Sequence, residues 1–99
     1  MAETSDVQDR PEESRFVLEV DGHEAELVYR RDGGQLVLIH TGVPDELGGR
    51  GLGGVLVARA VEVARAEALV LRPECPYARA WLKRHLDEAA GVMIEWPED

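Results

Sequence analysis

One cysteine, Cys75, leaves this 99-residue chain without an internal disulfide. A lone thiol suits a reducing compartment. No apolar run approaches the ~18 residues that a membrane-spanning helix needs. The polar, acidic opening lacks the basic start and apolar centre of a signal peptide. These absences point to a cytoplasmic protein with no membrane partner. Basic charge is also scarce: 11 Lys and Arg stand against 20 Asp and Glu, for a net charge of −9. Such a chain repels phosphate backbones, which argues against a nucleic-acid partner. Three dispersed histidines and one cysteine lack metal-site spacing, so no metal is expected.

Much of the acidity sits at the ends. Glu3, Asp6, Asp9, Glu12 and Glu13 face only Arg10 in residues 1–14, and Glu95, Glu98 and Asp99 close the chain. Residues 1–14 and 95–99 are therefore expected to be disordered acidic tails around one domain, residues 15–94.

Glycine, by contrast, is concentrated. Gly48-Gly49-Arg50-Gly51-Leu52-Gly53-Gly54 places five glycines in seven positions, between the apolar run Leu36 to Ile39 and a helical pattern from Val55 to Ala66. Glycine loses the most freedom on folding, so this density implies a backbone that something must approach closely. Free amides opening a helix attract anions. Those donors act whatever the net charge, so the segment reads as a phosphate cradle.

The flanking pattern is α/β. Phe16, Leu18 and Val20 alternate as a strand, and Asp21-Gly22 is a two-residue hairpin signal. His23 to Arg30 is the return strand, Asp32-Gly33-Gly34 a second turn, and Gln35 to His40 a third strand. Its four consecutive apolar residues predict burial on both faces. Leu52, Val55, Leu56, Ala60, Val63 and Ala64 form a helical stripe. Ala68 to Leu71 is a fourth strand, Tyr77 to Leu86 a second helix, and Val92 to Ile94 a last short strand. Leu36 to Leu71 is then a β-loop-α-β crossover with parallel strands.

Three phosphate loops compete. The Walker pattern needs Lys and Ser/Thr after its glycines, and neither is present. Gly49, Gly51 and Gly54 formally satisfy Gly-x-Gly-x-x-Gly, but that fingerprint follows the first strand directly, and here three strands come first. The third is the Arg/Gln-x-x-Gly-x-Gly/Ala loop of the Gcn5-related N-acetyltransferases. Val43-Pro44-Asp45-Glu46-Leu47-Gly48-Gly49-Arg50-Gly51-Leu52-Gly53 keeps its spacing from a leading valine. His40-Thr41-Gly42-Val43-Pro44 and Cys75-Pro76-Tyr77 closely resemble a small single-domain subfamily of that group. The resemblance spans Phe16 to about His85. Gly48 departs from the usual Arg or Gln, and Gly42 from the subfamily's usual acid.

The resemblance implies a minimal acyl-CoA N-acyltransferase fold that binds acetyl-CoA where two parallel strands splay, then transfers acetyl to an amine of unknown identity. By position, Gly49, Arg50, Gly51, Leu52, Gly53 and Gly54 hold the pyrophosphate, while Thr41, Gly42 and Val43 line the pantetheine. The tyrosine that protonates the leaving thiolate in many relatives is replaced by Leu82. That loss, with Gly48, supports an alternative: an acetyl-CoA-binding module with little or no transfer. Cys75, at the presumed cleft, is either a nucleophile for the acetyl group or a small apolar filler. His40 is either a general base or a strand-end residue held by a hydrogen bond. Arg50 is either an added charge for pyrophosphate or a solvated loop residue. Tyr77 and Trp81 are expected in the core or cleft wall. His85 is a helix-end residue, His23 lies on the hairpin surface, and Trp96 has no assignment.

Overall fold

The computed structural model describes residues 2–98, so Met1 and Asp99 of the expected tails lie outside the described residues. Five strands form one mixed sheet in the order β1-β2-β3-β4-β5. They are β1 (Gln8–Arg10), β2 (Arg15–Val20), β3 (His23–Asp32), β4 (Gln35–Gly42) and β5 (Val70–Pro73). The first four pair antiparallel, and β5 joins β4 in parallel. Asp21 and Gly22 both hold positive φ, 52° and 79°, as a primed hairpin turn requires.

Sheet register divides the residues between two faces. Phe16 opposes Leu27, Leu18 opposes Ala25, Tyr29 opposes Leu38, and Leu36 pairs with Leu71. These belong to the main core cluster. Val17, Glu26, Val28 and Val37 occupy the other face; Val17 and Val37 are buried yet lie outside that cluster. Helix α1 (Leu52–Glu67) packs Leu56, Val57, Ala60, Val61 and Ala64 into the core, and α2 (Pro76–Arg84) adds Ala78 and Leu82. Both helices therefore cover one face. A fully buried leucine here contributes roughly 1.5–3 kcal/mol by leaving water.

In β4, Leu36, Val37 and Leu38 are buried, but Ile39 is 38% exposed, so burial on both faces stops one residue early. The reason is a bulge. Tyr29 pairs with Leu38 and Val28 with His40, which leaves Ile39 without a partner in β3. One extra residue reverses which face each later side chain takes.

The termini differ from the expected tails. Thr4–Asp6 forms a single 3₁₀ turn, β1 adds a strand to the sheet, and Val7 is buried. Thr4 Oγ1 donates to Glu62 Oε2 on α1 at 2.8 Å, and Tyr29 Oη donates to Asp9 Oδ1 at 2.5 Å. Thr4 and Asp9 thus find partners on the body, and Val7 is buried, which overrides the composition signal. At the other end the strand expected over Val92 to Ile94 is reduced to one parallel bridge, Ile94 to Leu71. Glu95 N donates to Leu71 O, Arg72 pairs with the Glu95 carboxylate, and Lys83 lies 5.7 Å from the Trp96 ring centre. Arg65 holds the intervening turn through the carbonyls of Glu88 and Ala90.

Burial, reinforced by the hydrogen bond to Asp9, pushes the Tyr29 hydroxyl up to about 12. Unfolded tyrosine ionises near pH ~10. A raised folded-state value means that its stabilisation is complete below about pH 10 and is lost as pH rises through about 12. Urea midpoints should thus fall across this window, and more steeply in the parent protein than in Tyr29→Phe. Equal slopes in the two proteins would assign the alkaline loss to another group.

Candidate functional site

The parallel ladder between β4 and β5 runs from Gln35–Val70 to Leu38–Pro73 and stops. There the amides of Glu74 and Cys75 both donate to the Leu38 carbonyl at 2.9 Å, and the chain turns into α2 at Pro76. β4 continues through Ile39 to Gly42 with β3 alone as its strand neighbour. The sheet is therefore forked, and one side of this stretch of β4 borders no strand among the described residues.

The glycine loop closes the fork. Leu47 anchors it as the last residue of a 3₁₀ turn (Asp45–Leu47) and is 1% exposed. Gly49 and Gly51 have φ of 79° and 72°, where a side chain is strained. Gly51 caps α1 through its carbonyl, which accepts from Val55 N at 3.3 Å. The amides that open α1 have no carbonyl one turn earlier. A cavity of about 260 Å³ lies here, walled by Val43, Leu47, Gly49, Gly51, Gly53 and Tyr77. A broader hollow of about 950 Å³ lies beside Arg50 and Leu52, against Leu18, Val20 and the N-terminal segment. Arg50 borders this second space and pairs with Asp21 at 2.9 Å.

Gly53 and Gly54 serve a different purpose. A Cβ on Gly53 would stand 2.7 Å from Tyr77 Oη, and one on Gly54 would overlap the Trp81 indole nitrogen. Both glycines are buried, and their bareness lets α1 and α2 touch. Trp81 in turn stacks on His85 at 4.1 Å, and His85 Nδ1 donates to the Trp81 carbonyl at 2.7 Å.

The bulge at Ile39 sorts the end of β4. Thr41 opposes Leu27 and so shares the helix side; its Oγ1 lies 3.4 Å from Cys75 Sγ. Cys75 is 4% exposed and belongs to the core cluster. His40 opposes Val28 and Gly42 opposes Glu26, on the face without helices. Leu82 is fully buried.

A family model described as GCN5-related N-acetyl-transferase matches residues 15–91. The chain belongs to the GCN5-related N-acetyltransferase family. Its structure is similar to the NMR solution structure of a GCN5-like putative N-acetyltransferase from Staphylococcus aureus. The TM-score is 0.70 at 33% identity, over 93% of this chain and 89% of that one. No curated protein sequence matches.

The positions that the family resemblance marked are gathered only in part. Val43, Gly49, Gly51, Leu52 and Gly53 share the cavity; Arg50 lies to its side, and Gly54 faces Trp81. Cys75 meets Thr41, whereas His40 is on the opposite sheet face, so the two do not form a thiol–imidazole pair. Glu26, which no motif marks, lies beside Gly42 because β3 pairs there. Among the described residues no cluster of three or more His, Cys, Asp or Glu is placed to hold a metal ion, and no helix is long and apolar enough to cross a membrane.

The contact between α1 and α2 is directly testable. Gly54→Ala forces a methyl group into Trp81 and should cost about 1–3 kcal/mol, read by denaturant unfolding. Trp81 fluorescence should shift with it. Unchanged stability would show that the two helices separate freely.

Proposed function

We propose that this family member binds acetyl-CoA at the fork and transfers its acetyl group directly to an amine. The observation that carries the reading is the coincidence of two features: a cavity walled by Gly49, Gly51 and Tyr77, and a strand edge that β5 has left. The amides of Gly49, Arg50, Gly51, Leu52 and Gly53 suit a pyrophosphate, since a helix start and a loop of positive φ both present N–H groups. The Arg50 side chain is directed to Asp21 and is left out of that cradle. The open edge of β4 at Thr41 and Gly42, with Val43 just beyond it, suits the amides of a pantetheine arm. Bound coenzyme supplies an activated acetyl thioester.

Direct attack is favoured over a Cys75 acyl-enzyme. The side-chain partner of Cys75 is the Thr41 hydroxyl, a group too weakly basic to take a thiol proton, and His40 is on the other face. Cys75 and Thr41 then wall the acetyl end of the cleft from the helix side. The second reading, a module that binds acetyl-CoA without transfer, is favoured by Leu82, which fills with hydrocarbon the position where many relatives carry their proton donor.

Acetyl-CoA titration should shift the amide signals of Thr41 to Val43 and of Gly49 to Gly53. Gly51→Asp should weaken binding about tenfold or more by placing a carboxylate beside the pyrophosphate. Gly51→Asn, with the same shape and no charge, should retain more affinity. Equal affinity in Gly51→Asp and the parent would dismiss the cradle. Cys75→Ala should still acetylate an amine, with no acetylated parent protein in mass spectra. An acetyl adduct on the parent that disappears in Cys75→Ala would overturn direct attack. Intact binding without product from a panel of amines would favour the binding module.

A further inference from the structure

Gly42 opens a notch on the sheet face that carries no helix. A Cβ there would stand 3.4 Å from His40 Nε2 and 3.6 Å from Glu26 Oε2. An imidazole nitrogen and a carboxylate oxygen thus flank one bare Cα, at the end of the strand that borders the fork. The register makes this placement firm, since Glu26 pairs with Gly42 and Val28 with His40. Glu26 is held from its far side: Arg15 Nη1 donates to Oε1 at 3.0 Å. That leaves Oε2 on the notch. Arg15 is itself shared with Glu13 and Glu24, and Arg10 also pairs with both, so three carboxylates meet two guanidiniums along the rim of this face.

We propose that this notch seats the acceptor amine, which arrives as an ammonium ion on the face opposite the helices. The inference rests on the acetyltransferase reading and adds to it a location, a charge and a second residue, Glu26. Glu26 Oε2 accepts one N–H of the ammonium and holds its charge. His40 Nε2, as the acceptor nitrogen of a neutral imidazole, takes a proton and frees the nitrogen lone pair. A bond then forms from nitrogen to the acetyl carbonyl carbon, and the carbon–sulfur bond breaks. The nitrogen loses a second proton, the departing thiolate gains it, and imidazolium returns the first to water. Products are the amide, the free thiol and one proton. The same geometry sets a specificity: a primary ammonium is favoured over a neutral or anionic acceptor, because the walls of the notch are acceptors and carry negative charge.

The test separates seat from coenzyme. With no coenzyme present, butylammonium should shift the amide signals of Glu26, His40 and Gly42, whereas 1-butanol, which is of similar shape and uncharged, should not. Gly42→Ala, whose methyl group meets both walls at ordinary contact distance, should abolish the response. Glu26→Gln should weaken it about tenfold or more, the loss expected for a charged hydrogen bond. The acetyl-CoA titration of Glu26→Gln should match that of the parent. An absent or equal response to butylammonium and butanol, or an unaltered response in Gly42→Ala, would overturn the seat. If these amine shifts appear while acetyl-CoA moves no loop amide, the seat stands and the acetyltransferase reading falls.

Discussion

A single unpaired residue, Ile39, governs the functional end of this molecule. Without the bulge, strand alternation from Leu38 would carry His40 to the helix side and Thr41 to the open face. With it, Thr41 meets Cys75 among apolar neighbours, and His40 joins Glu26 on the exposed side. The bulge acts where β5 departs, since Leu38 is the last residue of the parallel ladder. Fork and face reversal therefore share one position. A bulge leaves hydrogen bonds unmade and is retained where it redirects side chains. Here it divides one strand into a segment buried on both faces and a segment whose side chains exchange faces.

The parts of the fold set by local pattern were legible in the sequence. The alternation of Phe16, Leu18 and Val20, the Asp21-Gly22 turn and the stripe on α1 each correspond to an observed element. So does the crossover, because a buried strand, a loop, a helix and a second short apolar run allow few other arrangements. The fourth strand begins two residues later than Ala68, which instead ends α1 at φ 55°. What the sequence hid depends on distant pairing. Nothing near Ile39 distinguishes it from Leu38; only the partner strand reveals which residue is skipped. Residues 3–13 look like a solvated tail until Tyr29 supplies a donor for Asp9 and Glu62 an acceptor for Thr4 from elsewhere in the chain.

The glycine loop shows the same limit at finer scale. Gly48 to Gly54 looks uniform as text, yet its glycines answer different constraints. Backbone conformation demands Gly49 and Gly51, while close approach of a second helix demands Gly53 and Gly54. A motif can therefore keep its spacing while half of its residues serve packing. In this small domain the two purposes meet on one turn of helix, so the position of α2 against α1 also sets one wall of the cavity, through Tyr77.

The edges of the sheet have a consequence for association. β1 is only three residues long, and β5 is flanked by the bridge at Ile94 and by hydrogen bonds through Met93 and Glu95. Short or covered edges give a foreign strand little to pair with. The stretch of β4 beyond Leu38 is different: its free side opens inward, bounded by the loop and α2. The backbone's spare pairing capacity is thus withdrawn from the perimeter, where it would recruit other chains and promote aggregation. It is placed instead on the side of β4 that β5 has left, next to the glycine loop and α2.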